Sequence, residues 1–227
     1  ASGQLALDSS SNSNHGYLRS ALSGMWQPTG GVSGGALHFD GTPYESFVVF
    51  PSATGSCPNP ISISGSFTAS AHVRFEAFGD WGTYSLSDVV LMHGTNGGNE
   101  GGWGLGATNG CGDVPRVGVT VSATFDAIRT TRCGTTQLTT GVWHHIVGVY
   151  DAPARSLEVY LNGVLDTGAM TPNSLAIPSQ IFTPDACPYM GASANQAALL
   201  RGSVDNARLY TRALPATDIA ALFAQGG

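Results

Sequence analysis

Short windows in which apolar and polar residues alternate, separated by turn residues, constrain the fold of this chain most strongly. In the clearest window five apolar residues fall on one face: Phe67, Ala69, Ala71, Val73 and Phe75. Similar windows occur at 36–40, 47–50, 89–93, 103–107, 117–121, 146–150, 157–161, 189–191 and 204–210. This series predicts an all-β protein, a two-sheet antiparallel β-sandwich or jelly roll.

Turn signals and one helical segment complete the pattern. The Asn162-Gly163 pair predicts a tight hairpin turn, and the 31 glycines suit many short strands joined by such turns. After Pro215, apolar residues at Ile219, Leu222 and Phe223 have helical spacing, which predicts a short C-terminal helix. A chain of 227 residues is long enough for one sizeable core, so we predict a single domain over residues 1–227.

The charge pattern argues against two classes of partner. The chain has no lysine, its nine cations are all arginine, and its net charge is −6. Because phosphate binding needs clustered Lys and Arg, we do not expect nucleic acid as a ligand. The longest apolar run spans only a few residues, so we expect no membrane insertion.

The four cysteines indicate an oxidising compartment. They contain no CxxC pair, which makes zinc the weaker interpretation and two disulfides the stronger one. Of the possible pairings we favour Cys111–Cys133, which would close a local hairpin, with Cys57–Cys187 joining distant strands. The chain begins ASGQ rather than with Met, which indicates a processed or trimmed chain. The two expected disulfides predict a secreted protein.

Several segments together resemble the laminin G-like domains of the concanavalin A-like lectin/glucanase superfamily. They are LALDSSSNSNHGYL, GGALHFDGTPYESFVVFP, SGSFTASAHVRF, TGVWHHIVGVYD, LEVYLNGVL and GSVDNARLYTRALPATDIAALF, in the family's order. The resemblance implies a concanavalin A-like jelly roll with a short C-terminal helix. Residues 77–132 match the family core poorly, so we expect specificity to lie in that segment.

The resemblance also implies a calcium site, since many family members carry one. The matching positions are Asp8, Asn12, Asp40 and Asp205, with carbonyls of the loop 11–16 as additional ligands. Oxygen-rich side chains suit Ca²⁺, which takes six to eight oxygen ligands. The alternative is that Asp8 and Asp40 only stabilise turns through bonds to backbone amides.

Aromatic and polar residues in loops are the candidates for binding a polysaccharide or glycan. Trp81 and Tyr84 lie in a glycine- and serine-rich loop. A second polar segment adds His93, Asn96, Asn99 and Glu100. Trp103 is a further candidate, although its strand position fits a core residue equally well. These residues predict a lectin-like, carbohydrate-binding module.

Sequence motifs for catalysis are missing. No glutamate begins a Glu-x-Asp-x-x-Glu pattern, and the lysine-containing motif of lyases with this fold is impossible here. We therefore favour a non-catalytic module, either alone or as part of a larger polysaccharide-acting or adhesion protein. The alternatives are a polysaccharide-degrading enzyme using His93, Glu100 or Asp113, and a domain that binds a protein partner.

The adjacent histidines in TGVWHHIVGVYD invite a metal interpretation. Neighbouring residues of a strand point to opposite faces, so His144 and His145 cannot easily share one ion. We therefore expect the histidines to cap or bridge neighbouring strands and Trp143 to pack in the core.

Overall fold

The structure is a computed structural model of the chain, and it describes residues 5–19, 24–43, 46–51, 61, 63–79, 86–94, 101–124, 129–172 and 176–226. The described residues form two antiparallel sheets and one helix, as predicted for a jelly-roll sandwich. No helix in these ranges combines the length and apolar character of a membrane-crossing segment.

The first layer is a nine-stranded sheet in the order β1-β2-β5-β15-β7-β8-β9-β10-β14. Its strands are β1 (Leu5–Ala6), β2 (Gly16–Arg19), β5 (Phe47–Val49), β7 (Asp88–His93), β8 (Gly102–Thr108), β9 (Arg116–Ser122), β10 (Thr130–Gly134), β14 (Thr167–Thr171) and β15 (Pro188–Met190). The second layer is a seven-stranded sheet in the order β13-β12-β11-β6-β16-β4-β3. Its strands are β3 (Trp26–Gln27), β4 (Ala36–Asp40), β6 (Phe67–Ala77), β11 (Trp143–Asp151), β12 (Ser156–Leu161), β13 (Val164–Leu165) and β16 (Arg201–Tyr210).

The core lies between the two sheets. The five alternating residues of β6 are all completely buried, which confirms the predicted inner face. At its centre the Phe67 ring lies 5.1 Å from that of Trp103 on β8 and 5.8 Å from that of Tyr150 on β11. Of these contacts, Phe67–Trp103 joins the two sheets and Phe67–Tyr150 joins neighbouring strands of one sheet. Burying each large apolar side chain contributes about 1.5–3 kcal/mol, so this cluster helps to hold the layers together.

Five strands were not predicted, namely β1, β2, β3, β10 and β14. The segments are short, and β10 reads TTRCG and β14 reads TGAMT, without the apolar alternation on which the prediction depends. They form because neighbouring strands offer unpaired backbone groups, and Arg132 adds bonds to the carbonyls of Leu157 and Gly168.

Local covalent and turn features agree with the sequence. Asn162 and Gly163 both have positive φ, 51° and 78°, and they turn the chain from β12 into β13 as predicted. The Cys111–Cys133 disulfide is confirmed, with Cα atoms 6.3 Å apart, and it closes a loop whose chain-entropy stabilisation is roughly 3 kcal/mol. Cys187 is also disulfide-bonded, while its predicted partner Cys57 lies outside the described residues.

The helix α1 (Ala216–Gln225) covers part of the outer face of the seven-stranded sheet. Its Ile219 is completely buried against Val147, Val149 and Tyr160. These side chains lie opposite to the core face of β11 and β12, so the helix adds a small second apolar cluster.

Candidate binding face of the seven-stranded sheet

The structure describes two of the seven residues predicted to bind a glycan. The other five lie outside the described residues and stay a prediction: Trp81, Tyr84, Asn96, Asn99 and Glu100. His93 is completely buried, its Nε2 lies 2.9 Å from the Ala186 carbonyl oxygen, and burial lowers its pKa. Trp103 is 1% exposed and packs on Phe67. Because both side chains are enclosed by the fold, neither belongs to an exposed binding platform, and their prediction as glycan contacts is corrected.

Asp8, the first predicted calcium ligand, organises its own loop. Its carboxylate accepts bonds from the Ser10 amide and hydroxyl, each at 2.8 Å, and from the Asn14 amide at 2.8 Å. Partial burial acts to raise the pKa of Asp8, but these bonds outweigh it and the pKa is lowered. The carboxylate is therefore held ionised at the mouth of a cleft of about 920 Å³ that Asn12 and Asp205 also line.

Asp40 lies too far from Asp205 to share an ion with it. Asp40 on β4 pairs with Arg201 on β16, and Asp205 lies four residues further along β16. At about 3.3 Å per residue, the Cα atoms of Asp40 and Asp205 are therefore roughly 13 Å apart. Asp40 accepts a bond from the Thr42 amide at 2.8 Å, whereas Asp205 accepts one from Ser33.

The predicted calcium ligands therefore do not meet as a set of four. Across the described ranges, no group of three or more His, Cys, Asp or Glu side chains is gathered for a metal. Asp8, Asn12 and Asp205 line one cleft, and calcium there stays a prediction.

Of the adjacent histidines, His145 bridges two strands, whereas His144 bonds to the loop that precedes its own strand. His144 Nε2 lies 3.0 Å from the Thr139 carbonyl oxygen on one side of β11, while His145 Nε2 lies 2.9 Å from Ser70 Oγ on the other. Burial, with the nearby His72 and Arg208, lowers the pKa of His145 to about 4. Both rings thus serve the scaffold, and His145 does so in neutral form.

Trp143 is not a core residue, contrary to the prediction, and it begins a row of side chains across the outer face. Trp143 pairs with Arg74, Arg74 pairs with Ser203, and Ser203 pairs with His38. Directly opposed residues of antiparallel strands project from the same face, so these four form one row across β11, β6, β16 and β4. We call this row, His38, Ser203, Arg74 and Trp143, the polar strip.

The polar strip is held by contacts among its own members and their neighbours. The Arg74 guanidinium carbon lies 5.5 Å from the centre of the Trp143 ring, and Arg74 Nη2 lies 3.5 Å from Ser203 Oγ. Ser203 is fully buried and its Oγ lies 3.4 Å from Gln27 Oε1. The strip therefore presents an indole and a guanidinium in fixed relative positions, with Trp143 and Arg74 half-buried.

A carboxylate stands beside the polar strip. His38 Nε2 lies 3.2 Å and 3.3 Å from the two oxygens of Glu76, and their side chains are 26% and 41% exposed. The face thus combines an aromatic ring with guanidinium, imidazole and carboxylate groups. Planar polar groups beside an aromatic ring are suited to sugars, which offer hydroxyls at their edges and C–H groups on their faces.

Helix α1 borders the polar strip on one side. The next row along the strands contains His145 and His72, whose ring centres are 4.6 Å apart, and Phe223 of α1 stacks over both. Gly226, just after the helix, packs on the His72 ring. The polar strip is therefore the first row that the helix leaves uncovered. Alternation already puts Arg74 on the face opposite Val73 and Phe75, but the row depends on register between distant strands.

Comparison with known proteins identifies the fold. A sequence model of the laminin G-like family, in the concanavalin A-like lectin/glucanase superfamily, matches residues 48–220, about three quarters of the chain. A comparison with curated protein sequences gives no significant match.

Solved structures with the same fold include a toxin domain and an enzyme domain. The binding domain of Paraclostridial Mosquitocidal Protein 1 has a TM-score of 0.67 and 15% identity over 96% of this chain and 49% of that chain. Domain 4 of AbnA, a GH43 extracellular arabinanase from Geobacillus stearothermophilus, in complex with arabinotriose, has a TM-score of 0.58 and 18% identity over 88% of this chain and 82% of that chain.

A second toxin domain has the same fold as these two structures. The binding domain of botulinum neurotoxin serotype G has a TM-score of 0.64 and 13% identity over 96% of this chain and 48% of that chain. This chain thus spans about half the length of both toxin binding domains. At these identities the likeness concerns the fold alone, and the family match carries the assignment. The chain belongs to the laminin G-like family of the concanavalin A-like lectin/glucanase superfamily.

Proposed function

We propose that this protein is a non-catalytic carbohydrate-binding module of an extracellular protein. The observation that carries the proposal is the part of the outer face that helix α1 leaves free, where the partly exposed Trp143 and Arg74 lie beside His38 and Glu76. Such a surface matches the amphipathic character of a sugar ring. The similar domain of an arabinanase in complex with arabinotriose supports a glycan as the ligand.

Two observations favour binding over catalysis. The sequence has no Glu-x-Asp-x-x-Glu pattern, which puts two carboxylates on one face of a strand in hydrolases of this superfamily. The carboxylate with the strongly raised pKa, Asp88, is 1% exposed and accepts bonds from Gly79 and Ser87, so a substrate cannot reach it.

Export and calcium belong to the same proposal. The Cys111–Cys133 disulfide supports an oxidising compartment. Calcium, if bound at the cleft beside Asp8, would stabilise the loop that Asp8 organises. The loop residues Trp81 and Tyr84 remain candidates for a second contact with the glycan.

Affinity electrophoresis tests the proposal. The protein is run through native gels that contain one dissolved polysaccharide each, with bovine serum albumin as the reference. We expect at least one polysaccharide to retard the protein relative to a gel without sugar. Equal mobility in every gel, together with no released reducing ends, would contradict a carbohydrate-binding function. Release of reducing ends would instead support the enzyme alternative.

A further inference from the structure

We propose that the polar strip is a binding site for an uncharged polysaccharide that crosses the strands, with room for about three sugar rings. This inference rests on the proposed function and adds the location, the orientation and the chemical class of the ligand. Its basis is the register of four strands, since Trp143, Arg74, Ser203 and His38 lie directly opposite one another in sequence-distant segments.

The length of the polar strip sets the number of sugar rings. Neighbouring strands are about 4.8 Å apart, so three intervals between four strands give roughly 14 Å from Trp143 to His38. That length corresponds to a trisaccharide. A longer chain would extend past Trp143 or past Gln27 on the edge strand β3, and its additional rings would gain few contacts.

The direction of the polysaccharide follows from the neighbouring helix. Phe223 and Gly226 cover the row that contains His72 and His145, so a ligand lying along the strands would collide with the end of α1. A ligand lying across the strands would contact the partly exposed members of the polar strip, Trp143, Arg74 and His38, above the buried Ser203. The cover by α1 therefore selects the crossing orientation.

The balance of charge indicates an uncharged ligand. Arg74 is a cation, but the Glu76 carboxylate is two residues away on the same strand and contacts His38. A carboxylated sugar would be attracted by Arg74 and repelled by Glu76, with little net gain. Hydroxyl groups can use both, accepting from the guanidinium and donating to the carboxylate.

The strip is organised before a ligand arrives. Arg74 is fixed on one side by the Trp143 ring and on the other by the fully buried Ser203, whose hydroxyl also contacts Gln27. A guanidinium held in this way loses little rotamer freedom on binding, which favours affinity from few contacts. Trp143 and Arg74 are the residue types that most often dominate binding energy.

The test measures the affinity of the whole chain by isothermal titration calorimetry. The probes are uncharged galactomannan, xyloglucan, dextran and arabinan, and carboxylated polygalacturonate and alginate. For an uncharged polysaccharide that binds, we expect Trp143→Ala and Arg74→Gln each to weaken binding roughly tenfold or more. We expect Trp143→Phe to retain part of the affinity. Tyr17→Ala is the matched control, because Tyr17 is an aromatic residue 48% exposed on the other sheet.

Oligosaccharides of that polysaccharide test the length. We expect affinity to rise from the disaccharide to the trisaccharide and to change little beyond it. Melting curves check folding, and His38→Ala is a second variant in case Trp143→Ala fails to fold. If the wild type binds no polysaccharide, both the function and this inference fall. If it binds but all strip variants keep wild-type affinity while Trp81→Ala or Tyr84→Ala abolishes binding, the function stands and the inference falls. Preference for the carboxylated probes would overturn the ligand class.

Discussion

Asp88 is a buried carboxylate whose ionisation opposes folding. It is 1% exposed at the start of β7, where it accepts two bonds from the Gly79 amide and one from the Ser87 hydroxyl. Burial raises its pKa to about 6, against the bonds from Ser87 and Gly79 and the nearby charge of Arg201, which act to lower it. Asp88 thus ties the end of β6 to the start of β7 while holding a proton more tightly than in the unfolded chain.

Replacement of Asp88 by asparagine gives a prediction at this scale. Because the folded pKa is raised, the stability associated with the Asp88 proton is present below pH 4 and is lost as the pH rises through about 6. In the wild type, Asp88 should lower the free energy of unfolding by on the order of 3 kcal/mol as the pH rises from 4 to 7. We expect this decrease to be absent in Asp88→Asn. Urea unfolding of both proteins between pH 4 and 7 measures it. Parallel pH profiles for the two proteins would contradict the prediction.

Chelation tests the cleft beside Asp8. If calcium binds there only in the native state, excess EDTA lowers the melting temperature of the wild type. Asp8→Asn should melt at a lower temperature than the wild type in calcium and respond little to EDTA, whereas Asp40→Asn should respond like the wild type. Differential scanning calorimetry gives both values. A wild-type melting curve that is the same with calcium and with EDTA would remove calcium from the proposal.

At the scale of elements, Ile219 anchors helix α1. It is completely buried against Val147 and Val149, whereas Phe223 of the same helix is 39% exposed. We expect Ile219→Ala to lower the free energy of unfolding by about 2–4 kcal/mol, and Phe223→Ala to lower it by less. Urea midpoints at constant m-value make the comparison. A larger effect for Phe223→Ala would mean that the helix is held chiefly by its contact with the histidines.

The contact between β6, β11 and α1 is sensitive to acid. Burial lowers the pKa of His145 to about 4, with further contributions from His72 and Arg208, and burial also lowers that of His72 despite the nearby Asp205. A lowered folded pKa gives stability that is present above pH 6.5 and lost as the pH falls toward 4.

His145→Gln tests this sensitivity. In the wild type, His145 should lower the free energy of unfolding by on the order of 3 kcal/mol as the pH falls from 6.5 to 4. We expect this decrease to be absent in His145→Gln. His15→Gln, in a half-buried surface loop, is the control. An undiminished acid loss in His145→Gln, measured by urea unfolding, would assign the sensitivity to other groups.

At the scale of the whole molecule, the two titrations act against each other. Asp88 favours the folded state at low pH, whereas His145 favours it at high pH, and their ranges overlap between pH 4 and 6. We expect the wild type to show a shallower pH dependence there than either single variant. Urea unfolding of wild type, Asp88→Asn, His145→Gln and the double variant at four pH values measures this. A wild-type slope steeper than that of both variants would contradict it.

The fold was predictable from sequence because its core strands carry their own pattern. The alternation from Phe67 to Phe75 needs no distant partner to be recognised. Strands without that pattern, such as β10 and β14, depend on pairing with neighbours and escaped prediction.

The polar strip escaped prediction for the same reason. Trp143 and Arg74 meet only because β11 pairs with β6 in one register, and one residue of slip would turn Trp143 to the other face. Trp103, in contrast, looked like a binding residue by type but sits where two sheets meet.

The position of Trp143 beside Arg74 also makes tryptophan fluorescence a probe of the polar strip. An indole beneath a guanidinium on an uncovered sheet face emits according to what surrounds it, whereas Trp103 emits from a sealed interior. The chain has four tryptophans, so in a variant with Trp26 and Trp81 replaced by phenylalanine iodide quenching distinguishes Trp143 from Trp103, and the accessible signal belongs to the ring at the end of the polar strip. A ligand bound over the Trp143 ring would shield it from iodide, so ligand binding can be measured by intrinsic fluorescence without a label.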